Sequence, residues 1–296
     1  MKQIFVPVFP GTNCEQETFA WVRKNLAAEV CSEPTQVSLD RLAGVLVPGG
    51  FTFGDYLRAG ALAAQSKQLN FIRGLPGRNI PILGICNGFQ ILCEAKLLPG
   101  ALTKNTCKHH LHGPVSLRLN SALTPRSTSV WLPALSQEQL SSFFESAQFP
   151  ISCGMGAYLL PQNLRQKTGI TLGEAPRLTH RFAKSKIAAE QIQKINLQDA
   201  ALSAQCQVGE SGSQPFLPIL HYVNNEPGSS AAIAGIVSAD GLVLGMMPHP
   251  ERAADAVLGD DTGNIFLLGL SRSQNIPILP GSPLANFAKR ITGEAT

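Results

Sequence analysis

A cysteine with chemical potential stands between two glycines in the segment 84–88, which reads Gly-Ile-Cys-Asn-Gly. Glycines two positions before and after Cys86 would let a strand and a helix approach closely, so that the tight turn lifts the side chain out of the sheet. Backbone N–H groups at the start of a helix favour the thiolate form. This pattern predicts a nucleophile at Cys86, although an isolated cysteine is more often a small buried residue under a turn.

A histidine and a glutamate two residues apart could serve that nucleophile. His249 and Glu251 alternate with prolines at the end of an apolar run. Two prolines should keep the segment extended, so that both side chains project to one side and the carboxylate fixes the imidazole tautomer. A surface histidine in an irregular loop is the plainer alternative. Together with Cys86, the pair predicts a Cys-His-Glu triad.

Acyl transfer also needs donors for the negative oxygen of the tetrahedral intermediate. Gly49 and Gly50 precede Phe51 at the end of another apolar run, and we expect all three to contact the substrate. Two glycines there could turn a backbone N–H toward the substrate carbonyl, to act with the N–H of Asn87. An ordinary Gly-Gly turn would use the same residues. All of these segments follow predicted strands, where open α/β sheets place their ligand crevices.

The elements that must position these residues alternate between strand and helix. Short apolar runs at 4–9, 44–48 and 80–85 are bounded by Gly or Pro, which is typical of strands buried on both faces. Helical patterns lie between them, around Phe19 and over 61–72. The alternation predicts an α/β fold, doubly wound, with a mostly parallel sheet and helices on both faces.

The second half of the chain is less regular, and we expect a small β add-on there. Further strands are expected at 113–119, 128–132, 216–223, 232–237 and 242–247. Residues 161–215 are rich in Gln, Ser, Ala and Lys, with a helical stretch near 184–204. This composition indicates an inserted, partly mobile excursion. We expect one domain spanning 1–296 around it.

Composition limits the classes of protein that fit. The chain has 296 residues, 44% of them apolar, which is ample for a packed core. No apolar run reaches the ~18 residues of a membrane span, so the cytoplasm is expected and a membrane partner is not. The net charge of +4 is concentrated at 161–200, with seven Lys/Arg and three Asp/Glu. We therefore expect no nucleic-acid partner.

Cysteine and histidine usage favours reduced thiols over bridges or metal sites. The seven cysteines are an odd number without a C-x-x-C pair. The segment 107–112, Cys-Lys-His-His-Leu-His, carries zinc-ligand types, but its spacing is too tight to close one tetrahedron without strain. We expect a polar loop there and no metal site. The basic segment 177–186 is expected to be a solvated helix face, with contact to an acidic partner or phosphate as the alternative.

The chain resembles the glutaminase subunits of phosphoribosylformylglycinamidine synthase, which are class I (triad) glutamine amidotransferases of purine biosynthesis. The matching segments are 10–15, 47–61, 84–92, 97–102, 234–237 and 245–253. The most specific are Gly-Gly-Phe-Thr-Phe-Gly-Asp-Tyr, which begins at Gly49, and Met-Pro-His-Pro-Glu-Arg, which ends at Arg252. The resemblance implies a flavodoxin-like sheet.

The resemblance also implies roles for single residues. Cys86 would be the nucleophile, His249 the base and Glu251 its orienting partner. The amides of Gly50 and Asn87 would bind the oxyanion. Gln90 and a glycine loop would hold the glutamine.

A partner is implied as well. Ammonia released from L-glutamine would pass to a synthetase subunit that converts formylglycinamide ribonucleotide to formylglycinamidine ribonucleotide, with a small accessory subunit as a further candidate. ATP and magnesium are expected in that synthetase. No cofactor is expected in this chain, which contains no Gly-x-x-x-x-Gly-Lys-Ser/Thr sequence.

The chain departs from these subunits where they usually carry His-Gly-Glu-Gly. It has Cys153, Gly154, Met155 and Gly156 there, so both glycines are kept while the imidazole and the carboxylate are lost. We expect backbone contacts to glutamine from Gly154 and Gly156. The segment 107–112 likewise replaces one that commonly presents an Arg. Two alternatives therefore stay open: a catalytically weak regulatory or scaffold subunit, and a free cysteine amidase with another substrate.

Overall fold

A large sheet with helices packed on it organises the protein. The computed structural model describes residues 1–75, 77–120, 122–123, 130–168 and 215–293. The strands are β1 (Lys2–Phe5), β2 (Ala28–Cys31), β3 (Leu42–Val47), β4 (Ile82–Ile85), β5 (Ala101–Thr103), β6 (Leu111–Leu119), β7 (Gln148–Cys153), β8 (Ala157–Leu159), β9 (Phe216–Tyr222), β10 (Ile233–Ser238) and β11 (Val243–Met246). The helices are α1 (Glu15–Asn25), α2 (Lys67–Arg73), α3 (Asn87–Glu94), α4 (Gln137–Ser146), α5 (Gln162–Thr168), α6 (Asn264–Ser273) and α7 (Pro283–Thr292).

Nine strands form the large sheet, in the order β2-β1-β3-β4-β11-β10-β9-β6-β7. The first five run parallel to one another, and from β11 onward each neighbour is antiparallel. A second, two-stranded sheet pairs β5 with β8. Strand β4 lies between β3 and β11, so the carboxyl ends of these three parallel strands meet at one edge. Ligand crevices of open α/β sheets form at such an edge.

Helix α3 begins directly after β4 and lies on the central strands. All residues of β3, β4 and β11 are buried, as expected for strands covered on both faces. Gly88, in the first turn of the helix, faces the end of β3 so closely that a Cβ atom there would lie 2.0 Å from the carbonyl oxygen of Val47. Gly84 is equally constrained, since its Cβ would lie 2.7 Å from the oxygen of Gly88. Both glycines therefore set the distance between helix and sheet.

The α/β class and the core strands are confirmed, with differences in the second half. The add-on is continuous with the main sheet, because β6 pairs with β9 along the same hydrogen-bonded edge. The strand predicted at 128–132 is wrong over 130–132, which form a turn, and 128–129 lie outside the described residues. The helix predicted over 61–72 is instead a 3-10 turn followed by α2, since Ser66 accepts from the Leu69 amide and starts a new helix.

Part of the predicted excursion cannot be compared with the structure. The helical stretch near 184–204 and the basic segment 177–186 lie outside the described residues. The single domain over 1–296 with an excursion at 161–215 stays a prediction. Among the helices that the structure describes, none is long and apolar enough to cross a membrane.

The contact between α3 and β3 predicts the sign of a stability change. Alanine has a higher helix propensity than glycine by about 1 kcal/mol, so propensity alone would make Gly88→Ala stabilising. Because the added methyl would meet the backbone of Val47, we expect a loss of about 2 kcal/mol or more in the free energy of unfolding. Urea unfolding followed by circular dichroism measures the change.

Gly44→Ala is the matched control. A Cβ atom there would meet only the side-chain ends of Leu270 and Ile4, at 3.3 and 3.4 Å. We expect a change below about 1 kcal/mol. An unchanged or raised midpoint for Gly88→Ala would contradict the close approach of helix and sheet.

Candidate active site

Cys86 occupies a strained turn between β4 and α3. Its backbone has φ 52° and ψ −107°, which is unusual for a residue with a Cβ atom, and it is the N-cap of α3. The side chain is 7% exposed, and Sγ donates to the carbonyl oxygen of Ser152 at 3.5 Å. The strand-turn-helix geometry expected from the flanking glycines is therefore present. Strain of this kind is characteristic of functional positions.

A buried ion pair lies at the end of β11. Nδ1 of His249 and Oε1 of Glu251 are 2.6 Å apart, and both side chains are almost completely buried. The backbone N–H of His249 donates to the oxygen of Pro150 at 2.7 Å, which fixes the residue against β7. The second ring nitrogen, Nε2, is buried and has no hydrogen-bond partner in the described part of the chain. This nitrogen is available for proton transfer.

The local backbone differs from the extended segment that the prolines suggested. Residues Pro250–Arg252 form one turn of 3-10 helix with the proline at its first position. Proline has the right φ for that position and has no N–H to satisfy there, so it starts the turn instead of keeping the chain extended. The turn still brings the carboxylate of Glu251 to the imidazole of His249.

The electrostatics of the pair favour a charged imidazole. Burial opposes the charge on His249, but the negative charges of Glu251 and Cys86 outweigh it and raise the pKa of His249 to about 10. An imidazolium there would stabilise a thiolate at Cys86. The described arrangement is therefore suited to a thiolate-imidazolium pair.

Gly49 marks the point where these groups converge. A Cβ atom on Gly49 would lie 2.9 Å from Cε1 of His249 and 3.4 Å from Cβ of Cys86. Any larger residue would collide with the imidazole, because the imidazole and the cysteine both face the end of β3. Gly49 thus comes from the end of β3, Cys86 from the end of β4 and His249 from the end of β11.

The amides of Gly50 and Asn87, predicted as oxyanion donors, donate no hydrogen bond within the described residues. The φ of Gly50, +144°, is a conformation that favours glycine. The amide of Asn87, at the first position of α3, has no intrahelical acceptor. The amide of Phe51 donates to the oxygen of Gly11 at 3.1 Å, so it is already engaged. Its side chain, 53% exposed, borders the cleft instead.

The side chains of Asn87 and Gln90 brace the site. Oδ1 of Asn87 accepts from the hydroxyl of Thr52 at 2.7 Å, and Nδ2 donates to Oε1 of Gln90 at 2.7 Å. Nε2 of Gln90 donates to the oxygen of Met155, also at 2.7 Å. Gln90 was predicted to hold glutamine. It lines the cleft, but both ends of its amide are occupied by protein groups.

A cleft of about 800 Å³ opens beside the nucleophile. Its lining comes from four parts of the chain: Gly50, Phe51, Asp55, Cys86, Gln90, Lys104, Asn105, Thr106, Lys108, His109, His110, Ser152, Cys153, Gly154 and Met155. Residues 108–110 of the segment 107–112 therefore border the candidate active site. The polar loop predicted there is wrong for 111–112, which begin β6. The spacing of residues in the sequence could not indicate this position beside Cys86, since it depends on the pairing of β6 with β7.

Asn105 holds the glycine loop, residues 153–156, against the segment 107–112. Its side chain is 2% exposed, donates to the oxygens of His109 and Cys153 at 3.0 and 2.9 Å, and accepts from the amide of Gly156 at 2.8 Å. The amide of Gly156 is thus used by the protein, and a contact between Gly156 and glutamine stays a prediction. Gly154 and Met155 do line the cleft. A role for Asn105 was not predicted, because an asparagine carries no chemical signature of its own.

A second cysteine lies behind the ion pair. Ligand atoms of Cys14, His249 and Glu251 lie within 4.8 Å of one another, a grouping that could hold a soft metal ion. Burial raises the pKa of Cys14 to about 11, against the opposing charge of Arg252, whose Nη2 donates to Sγ at 3.1 Å. Cys14 should therefore stay a thiol at neutral pH. The predicted absence of a metal site stays a prediction.

Comparison with known proteins decides the family. A model of the CobB/CobQ-like glutamine amidotransferase domain matches residues 1–200 and 217–262. The phosphoribosylformylglycinamidine synthase subunit PurQ of Staphylococcus saprophyticus is 34% identical over 275 residues, which cover 90% of this chain and 97% of that protein. The chain belongs to the PurQ family of glutamine amidotransferases. PurQ of Thermus thermophilus is 36% identical over 266 residues, covering 89% of this chain and 95% of the relative.

A solved structure of a PurQ-containing complex agrees with this assignment. The structure of PurLQS from Thermotoga maritima contains a chain that matches with a TM-score of 0.65 and 26% identity, covering 92% of this chain and 98% of that one. The nine-stranded sheet and the elbow at Cys86 therefore occur within a PurQ fold. The resemblance stated from sequence is confirmed.

The raised pKa of His249 predicts how alkylation of Cys86 depends on pH. Glu251→Gln removes a negative charge that raises this pKa, so the imidazolium should be lost at a lower pH. Between the lowered pKa of the variant and the wild-type value of about 10, the variant would then lack the cation beside the thiol. We expect iodoacetamide to modify Cys86 roughly tenfold more slowly at pH 8, because a neutral imidazole offers no positive charge to stabilise the attacking sulfur. Timed quenching and peptide mass spectrometry measure the rate.

Glu17→Gln is the control for this measurement. Glu17 lies 3.6 Å from Arg252 but outside the buried pair, and its side chain is 41% exposed. Its loss should leave the rate nearly unchanged because solvent screens it. Equal rates for wild type and Glu251→Gln would show that the carboxylate does not control the imidazole.

Proposed function

We propose that the chain is the glutaminase subunit of phosphoribosylformylglycinamidine synthase, with Cys86, His249 and Glu251 as its catalytic residues. The observation that carries the residue assignment is the buried His249–Glu251 pair, which faces Cys86 across Gly49. The Cys93 and Cys153 thiols are poorer candidates, since burial raises the pKa of both, that of Cys153 to about 12.

The first half of the reaction transfers the glutamyl group to sulfur. The thiolate of Cys86 attacks the carboxamide carbon of glutamine, a C–S bond forms, and the C=O electron pair moves to oxygen. The amides of Gly50 and Asn87 stabilise this oxyanion. When the C=O bond re-forms, the C–N bond breaks, and Nε2 of the imidazolium gives its proton to the leaving nitrogen. Ammonia and a glutamyl thioester result.

The second half releases glutamate. Water attacks the thioester carbon while Nε2 of His249, now neutral, accepts a proton from that water. The C–S bond then breaks and its electron pair returns to Cys86 as thiolate. Glu251 accepts the hydrogen bond from Nδ1 throughout, and so keeps Nε2 directed at the reacting atoms.

The released ammonia requires an acceptor subunit. The curated relatives are named as subunits of phosphoribosylformylglycinamidine synthase, and the Thermotoga maritima structure is titled PurLQS. We propose a synthetase partner corresponding to PurL and a small partner corresponding to PurS, working in the cytoplasm. ATP and magnesium would bind to the synthetase, which converts formylglycinamide ribonucleotide to formylglycinamidine ribonucleotide.

Neither alternative function is favoured. A scaffold subunit without catalysis would not need a buried ion pair, which is costly to maintain without a role. A free amidase would not account for similarity to synthase subunits over 89–90% of the chain.

The assignment of Cys86 predicts a separation of two activities in the assembled complex. Cys86→Ala should abolish synthesis with glutamine as nitrogen donor, because no thioester can form. Synthesis with ammonium chloride should remain within about twofold, since the synthetase chemistry is untouched. Cys107→Ala is the control and should retain both activities, because this residue is neither catalytic nor fully buried. Equal loss of both activities in Cys86→Ala would indicate a structural cysteine.

A further inference from the structure

The cleft beside Cys86 has a strongly basic side. We call Lys104, Lys108, His109 and His110, which all line the cleft, the basic rim. Within the described residues, neither lysine makes an ion pair or a side-chain hydrogen bond. Both lysines are exposed. Within the described part of the chain, therefore, neither charge is neutralised by an ion pair.

The rim is fixed in place by backbone contacts. Lys108 has a positive φ of 63°, and its amide donates to the oxygen of Asn105 at 3.0 Å. The amide of Asn105 in turn donates to the oxygen of Gly154 at 3.1 Å. Because the buried side chain of Asn105 also binds the same glycine loop, the rim and the loop form one unit. A binding role requires this kind of positioning.

One residue connects the rim to the nucleophile. The carbonyl oxygen of Ser152 accepts from Sγ of Cys86 at 3.5 Å, and its hydroxyl lies 3.1 Å from Nε2 of His110. A substrate whose reacting carbon lies at Cys86 would therefore extend toward the rim.

Glutamine carries a charge at the end opposite its carboxamide. A carboxylate that leaves water needs cationic partners. We propose that Lys104 and Lys108 bind the α-carboxylate of glutamine and thereby select amides that carry a carboxylate. This inference rests on the proposed glutaminase function. Asp55 is the acidic side chain in the described lining of the cleft, and it suits the α-ammonium group.

A substrate with a neutral carboxyl group provides the test. In the assembled complex, glutamine hydrolysis is measured for wild type and for the Lys104→Gln, Lys108→Gln double variant, with L-glutamine and with its α-methyl ester. We expect the double variant to raise KM for glutamine about tenfold with kcat nearly unchanged, since uniform binding is lost. KM for the ester should change less than twofold. Lys289→Gln, an exposed lysine of α7, is the control and should change neither value.

Each other outcome overturns the inference. An unchanged KM for glutamine would mean that the lysines do not bind it. An equal rise for glutamine and ester would indicate a general structural effect. A higher partner concentration for half-maximal activity, with the same KM for glutamine, would assign the rim to the synthetase interface.

Failure of the proposed function would look different. It would leave wild type and variants alike without glutamine hydrolysis, while iodoacetamide, which carries no carboxylate, still modified Cys86. Folding of the double variant is checked by an unchanged rate of that modification. A slower rate would attribute any KM change to disturbed geometry and overturn the inference.

Discussion

A buried imidazole-carboxylate pair is the constraint on which the site depends. Taking His249 and Glu251 out of water costs several kcal/mol per charge, and only close contact and fixed surroundings offset it. The surroundings are fixed by packing: a Cβ atom on Gly263 would lie 1.9 Å from the oxygen of Pro250, so the start of α6 presses on the turn that carries Glu251. Asn264 then joins that turn to α1, since it accepts from Nε1 of Trp21 and donates to the oxygen of Ala254.

The second constraint is steric and comes from three glycines around the nucleophile. Gly49, Gly84 and Gly88 are each positions where a Cβ atom would come within 3 Å of another group. Together they let β3, β4 and α3 approach closely enough for Cys86 to reach the imidazole. The strained backbone of Cys86 is stabilised by this same packing, because relaxing the turn would move α3 away from the sheet. Gly49 is part of both constraints, because a Cβ atom there would collide with the imidazole of the ion pair and contact Cys86.

The sequence was most informative where chemistry and local geometry coincide in a short segment. The elbow around Cys86 and the His249–Glu251 pair are local, so spacing alone predicted which residues would meet. Asn105 could not be found in this way, because its two partners in the glycine loop lie 48 and 51 positions further along the chain. The continuity of β6 with the main sheet, likewise, depends on pairing with β9, whose residues lie more than 100 positions further along the chain. Proline was misleading at position 250, since its fixed φ fits a 3-10 turn as well as an extended chain.

The segment 153–156 is held in place by contacts to its backbone. Cys153 is 4% exposed, and Sγ lies 2.4 Å from where a Cβ atom on Gly156 would be, so there is little room for a larger side chain. The side chain of Asn105 holds the loop by its hydrogen bonds to the backbone of Cys153 and Gly156. The side chain of Gln90 adds a hydrogen bond to the oxygen of Met155. These contacts do not use the side chains at 153 and 155. Polar groups could therefore be lost from the loop without moving Cys86, provided that another wall of the cleft supplied charge. Lys104 and Lys108, attached to the same loop through Asn105, are placed to supply it.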